Sequence, residues 1–141
     1  MRVAATATVE SPPEPVFDAM ADARNEPRWN SRVSSAELRS GEPIGLGSKF
    51  AIVNGGTSYD VTITTYDRPA RLVFEGVGNP DVTIAYSFRS SGERTELASA
   101  FDFRPNGISK LLFAVFAPLI RRDVRKQFAS FKTMCESSGR L

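Results

Sequence analysis

Between Val33 and Arg104 the chain is a succession of strand-like runs cut by turn signals, "EPIGLG", "NGG", "DRPA", "GNPD" and "SSGER". This alternation decides most of what the chain can fold into. It predicts strands at about Val33–Arg39, Lys49–Asn54, Thr57–Tyr66, Arg71–Val77, Val82–Arg89 and Arg94–Arg104. The connections are short, so successive antiparallel hairpins are the natural pairing. "RVAATATVE", which precedes them, sets Val3, Ala5, Ala7 and Val9 against Thr6, Thr8 and Glu10, the period of a half-buried strand. Side chains two apart share a face. Tyr59, Val61 and Ile63 therefore point one way, as do Leu72 with Phe74, the set Val82, Ile84, Tyr86 and Phe88, and the set Leu97, Ser99, Phe101 and Phe103. That face is expected inside. Asp60, Thr62, Thr64, Arg71, Glu75, Thr83, Ser87, Glu96 and Asp102 form the solvated exterior.

Helical periodicity is confined to three places. In "SPPEPVFDAMAD" the prolines suit a first turn, which needs no N–H donor. Ser11 with Glu14 has the spacing of a capping box, and Val16, Phe17, Met20 and Ala21 recur at helical intervals. This predicts a helix from Pro12 to about Ala23. "RNEPRWN" repeats the start signal, with Asn25 as cap and Pro27 in the first turn of a helix barely one or two turns long. Beyond "RPNG", a long helix is expected from near Ser109 to about Glu136. Its second half carries a narrow apolar stripe, Ile120, Val124, Phe128, Phe131 and Cys135, beside Arg121, Arg122, Arg125 and Lys126. Its first half is apolar over a much wider arc, through Leu111, Leu112, Phe113, Val115, Phe116 and Leu119. Such an arc is either buried on both sides or lines a cavity that a greasy ligand fills. Pro118 removes a helical N–H and crowds the preceding turn, so a bend is expected there.

Composition removes whole classes of function. The 141 residues suit a single domain, 1–141, with a core of its own, and the sequence shows no repeat or linker. Eighteen basic against 16 acidic residues leave a net charge of +2 with both signs interspersed, which is no nucleic-acid footprint. There is no histidine, so Ser-His-Asp and Cys-His catalysis cannot be built, and no metal site is expected. Cys135 is the lone cysteine, so no internal disulfide forms. The opening residues lack a signal-peptide pattern, and the apolar run Ile108–Ile120 is too short to span a bilayer. A cytoplasmic domain without integral membrane association is the expectation.

One strand, two short helices, a run of antiparallel strands and a long terminal helix resemble the helix-grip fold. "SPPEPVFDAMAD", "NEPRWN", "IGLGSKF", "YDRPARLVFEG" and "FAPLIRRDVRKQFASFK" carry a resemblance over nearly the whole chain to the START-like (SRPBCC) superfamily. Within it they resemble the bacterial polyketide cyclase/dehydrase and lipid-transport family. The resemblance implies an α+β fold in which a curved antiparallel sheet of about seven strands wraps the terminal helix around a cavity for hydrophobic molecules. Members include carriers, cyclases and aromatases, so the resemblance leaves the activity open.

The candidate ligand-binding residues follow from the strand faces and from that fold. Trp29 stands where the family closes one end of its cavity, or is a plain wedge between helix and sheet. Tyr59 and Tyr86 lie on otherwise apolar faces. Burying a hydroxyl without a partner costs about 1–3 kcal/mol, which favours a wet or liganded space around them. Asn54 and Ser99 are weaker members of the same set, and Phe74 shares the inward face. Phe101, Leu112, Phe113 and Phe116 offer apolar surface to a planar or chain-like ligand, and Phe103 is read as ordinary core. Arg104, at the end of the last strand, is either an orienting cation or a surface residue. The basic cluster at Arg121–Lys126 is read as a solvated helix face. Three functions stay open: binding of a small hydrophobic ligand without a cofactor, cyclisation or dehydration of a polyketide in the same cavity, and protein docking through the exposed helix start. The protein is expected to be a monomer or a weak homodimer.

Overall fold

The computed structural model describes residues 1–138. The alternating segments form seven strands: β1 (Arg2–Val9), β2 (Val33–Leu38), β3 (Lys49–Asn54), β4 (Thr57–Asp67), β5 (Arg71–Val77), β6 (Asp81–Ser91) and β7 (Arg94–Arg104). They build one antiparallel sheet in the order β1-β7-β6-β5-β4-β3-β2. From β2 to β7 every neighbour in sequence is a neighbour in space, as short hairpin connections require. The exception is β1, which crosses to the far edge and pairs with β7 from Arg2 opposite Asp102 to Val9 opposite Thr95. Register shifts between Val33 and Ser35 and between Ile63 and Thr65 interrupt the ladders, and an extra residue of this kind bends and twists its strand.

Helices α1 (Pro13–Ala21) and α2 (Glu26–Trp29) lie between β1 and β2, joined by a 3-10 turn at Ala23–Asn25, and α3 (Ile108–Ser138) closes the fold. The expected strands and helices are all present, with ends shifted by a few residues. The capping box is not. Pro12 occupies the position before α1 with extended backbone, and no side chain caps the helix. Ser11 is instead drawn into the core, where its carbonyl accepts a 2.7 Å bond from the Thr95 hydroxyl. Nor does the Asn25 side chain cap α2, because its amide donates to the Ala19 carbonyl at 3.2 Å and ties the connection back onto α1.

The core sits between the concave face of the sheet and the second half of α3. Val124, Phe128, Phe131 and Cys135 are buried there, together with Phe17, Leu72, Leu97 and Trp29. Phe17 meets Tyr66 and Phe88 edge-on, each at 5.1 Å between ring centroids, which seats α1 on β4 and β6. The first half of α3 is different. Leu111, Leu112, Val115, Phe116 and Leu119 remain 48–73% exposed, so that half is not enclosed on both sides. It reaches the sheet through Phe113, whose ring lies 5.7 Å from that of Phe103, and through Ser109, whose hydroxyl bonds the Asn79 side chain at 3.3 Å.

Candidate functional site

Where α3 stands off the sheet, a cavity of about 600 Å³ opens between them. The volume is that of a site for one drug-sized or lipid-like molecule. The sheet contributes Ile52, Tyr59, Val61, Phe74, Ile84, Tyr86, Phe101 and Phe103, and α3 contributes Leu112, Phe113, Phe116, Leu119, Ile120 and Val124. Met20 of α1 and Glu26 and Trp29 of α2 line it as well. The wide apolar arc of α3 thereby divides in two. Leu112, Phe113, Phe116 and Leu119 border the cavity, and Ile108, Leu111 and Val115 stay exposed without lining it.

Most of the residues singled out from sequence meet in this cavity: Trp29, Asn54, Tyr59, Phe74, Tyr86, Phe101, Leu112, Phe113 and Phe116 all line it. Ser99 and Arg104 do not. Ser99 is buried, and its hydroxyl donates to the Ala5 carbonyl of the neighbouring strand β1 at 3.4 Å. Arg104 lies on the opposite face of the sheet, where its guanidinium bonds the Thr83 hydroxyl at 2.8 Å and pairs with Glu75 and Asp102 at 3.5 and 3.4 Å. One residue at the strand end reverses the direction of a side chain, which places Phe103 toward the cavity and Arg104 outside. Phe103, read as core, lines the cavity too.

The ionisable groups of the cavity are Tyr59, the pair Arg32 and Asp123, and Glu26 with Tyr86. Near the start of α3, the Tyr59 hydroxyl donates to the Asn79 carbonyl at 3.4 Å, and burial raises the affinity of this phenol for its proton. Arg32 and Asp123, both lining residues, neutralise one another at 2.8 Å. At the α2 end stand Glu26 and Tyr86. Glu26 keeps some accessible surface, yet protein surrounds its carboxyl, and this desolvation pushes its pKa up to about 7. Tyr86 is held well above the ordinary phenol value, first by burial and second by the charge of Glu26. Neither side chain has a hydrogen-bond partner among the described residues, and no fully buried side-chain nitrogen or oxygen there is left unpaired. Both polar ends therefore open onto the lumen.

Sequence reasoning misses Glu26. The available signal is its spacing: Glu26 and Trp29 are three apart in one helical turn and share a face, so a tryptophan at the cavity end brings the carboxylate with it. Among the described residues no cluster of metal-binding side chains occurs, and no helix is long and apolar enough to cross a membrane.

Residues 1–136 match the model of a family described as polyketide cyclase/dehydrase and lipid transport. The chain belongs to that family. Membership implies either binding of a hydrophobic ligand or polyketide cyclisation. Solved structures agree on the fold. TTHA0849 from Thermus thermophilus superposes with a TM-score of 0.80 at 18% identity, covering 98% of this chain and 99% of that one. The Zhui aromatase/cyclase from Streptomyces sp. R1128 superposes at 0.70 with 18% identity, covering 96% and 93%. Ara h 8.0201 superposes at 0.71 with 15% identity, covering 97% and 98%. No curated protein is significantly similar in sequence.

Proposed function

We propose that this family member binds one small hydrophobic molecule, lipid-like or polyketide-like, between its sheet and the first half of α3. One observation carries the reading: an apolar, aromatic-lined cavity of about 600 Å³ at the place where the helix leaves the sheet. Apolar area removed from water contributes roughly 25 cal/mol per Å² before ordering costs, so the lining phenylalanines supply most of the affinity. The reading invokes no cofactor. The experiment is a thermal-unfolding series with fatty acids, sterols and aromatic polyketides. A rise in midpoint that scales with ligand concentration supports the reading, because a ligand that binds only the folded state stabilises it by mass action. No shift with any of the three classes overturns it.

A second reading, polyketide cyclisation or dehydration in the same cavity, is favoured by Glu26. Without histidine the chain has few acid–base groups, and a carboxyl with a pKa of about 7 inside the cavity is suited to proton transfer near neutral pH. Turnover of an aromatic polyketide precursor that is lost in Glu26→Gln, with binding retained, supports this reading. Binding without turnover in the wild type overturns it.

A further inference from the structure

The α2 end of the cavity holds an arrangement that specifies more than greasiness. Glu26 and Tyr86 both line this end: Trp29, one turn after Glu26 on α2, packs on Phe131 of α3, and Tyr86 stacks on Phe128 one turn earlier on the same helix, with no hydrogen bond between Glu26 and Tyr86. Neither has another partner among the described residues. The lining includes the apolar Met20, Trp29, Phe74 and Val124 and the uncharged amides Asn30 and Gln127. A carboxylate that accepts and a phenol that donates, separated by a gap, are complementary to one kind of atom, an oxygen that both donates and accepts.

From this juxtaposition we infer that Glu26 and Tyr86 form a seat for a single hydroxyl group on an otherwise apolar ligand, and that the same carboxylate turns away ligands ending in an acid. The ligand hydroxyl donates to the Glu26 carboxylate and accepts from the Tyr86 O–H, which satisfies both buried groups at once. A ligand carboxylate in that position faces Glu26 with like charge in a poorly screened space and leaves it unpaired. A charged amine satisfies Glu26 but offers nothing to the phenol hydrogen. Hence the preferred ligand is an alcohol or phenol, ahead of a fatty acid or an alkylamine. This preference rests on the cavity-binding reading and narrows it.

Among the described residues no unpaired cation lines the cavity to offset the repulsion. Tyr86 is the titratable group that faces Glu26 from β6. Arg32, ahead of β2, and Asp123 of α3 border the same cavity but are paired with each other at 2.8 Å. On α2 itself, Arg28 is exposed and acts on the Cys135 thiol. The raised affinity of Glu26 for a proton adds a second signature, since exclusion of anions weakens as the pH falls below about 7.

Calorimetric titration with naphthol and with naphthoate tests this, because the two share one ring system and differ in the head group. At about pH 8 the wild type is expected to bind naphthol at least about tenfold more tightly than naphthoate. Glu26→Gln keeps an acceptor but loses the charge, so naphthoate gains about tenfold while naphthol changes little. Tyr86→Phe weakens naphthol severalfold and leaves naphthoate unmoved. The wild type alone gives an independent reading should a variant misfold: between about pH 8 and pH 6 the preference for naphthol must shrink. Equal affinities at pH 8, or a preference that survives Glu26→Gln, overturns the inference and leaves cavity binding standing. If neither compound binds, the inference falls, and the thermal-unfolding series decides the cavity reading separately.

Discussion

Trp29 meets Phe131 edge-on, with ring centroids 5.4 Å apart and planes at 80°, and this contact holds the four-residue helix α2 against α3. So short a helix has no stability of its own, and its place depends on that packing. Trp29→Ala is expected to cost about 3–5 kcal/mol in urea denaturation, as large-to-small changes at buried aromatics do. Trp29→Phe retains an aromatic contact and is expected to cost less than half as much. A loss below about 1 kcal/mol for Trp29→Ala would show that α2 is held by something else.

The ligand-facing side of α3 separates stability from binding. Phe116 is 48% exposed and Phe113 is half-buried against Phe103, so neither is a principal element of the core. Phe116→Ala is expected to cost less than about 1 kcal/mol of stability but to weaken an apolar ligand by about tenfold, since the ring then leaves ligand surface in water. Arg104→Ala is the control on the opposite face. Its exposed pairs contribute about 0–1 kcal/mol, and ligand affinity should not change. Denaturation and fluorescence titration of the same preparations check both.

Glu26 ties stability to pH. Its carboxyl has a pKa of about 7 in the folded chain against 4.5 as the ordinary value, through burial. Between those values the folded state holds a proton that the unfolded state has released, so stability falls as the pH rises through that window. Above about pH 7 the penalty is fully expressed, at roughly 1–3 kcal/mol once access to lumen water is allowed for. Glu26→Gln carries no such charge. It is expected to be more stable than the wild type at pH 8 and nearly equal at pH 4.5, as urea midpoints at the two pH values would reveal. A wild-type curve that is flat from pH 4.5 to 8 would contradict the buried-carboxyl description.

How far the sequence anticipates the structure depends on whether a feature is local. Strand alternation and turn chemistry are local, and the sheet appears with its strands nearly where "NGG", "DRPA" and "SSGER" put them. The faces follow, which is why Tyr59, Phe74, Tyr86 and Phe101 come together at the cavity. What fails depends on distant partners. Ser11 has the spacing of a cap, but Pro12 takes the position before α1, and Ser11 is buried with its carbonyl bonded by Thr95 on β7, 84 residues away. Ser99 shares the inward face, yet its hydroxyl is taken up by the Ala5 carbonyl of β1, a strand from the far end of the sequence that pairs with β7. Of the two readings of Arg104, the surface one holds, since one step of the strand period turns it away from the cavity that Phe103 lines. Glu26 escapes notice because a glutamate in a first turn reads as helix-dipole chemistry unless the burial of Trp29 beside it is already known. The wide apolar arc of α3 shows that something other than water borders it, without showing that one flank stays exposed.

A glycine just past the end of β5 offers a test of the cavity wall. A Cβ on Gly78 would stand 2.5 and 2.6 Å from the Tyr59 ring and 3.3 Å from the Ser58 carbonyl. Gly78→Ala must therefore push the ring aside, breaking the Tyr59–Asn79 bond and moving a lining residue. Overpacking of this kind costs about 1–3 kcal/mol. Because the clash is with one side chain, Tyr59→Ser should relieve it, and the two substitutions should couple by at least about 1 kcal/mol in a double-mutant cycle. Ligand affinity should fall in Gly78→Ala and recover only in part in the double variant, where the ring itself is missing. If the two effects simply add, the strain resides in the backbone at Ser58, and Tyr59 does not hold this wall of the cavity in place.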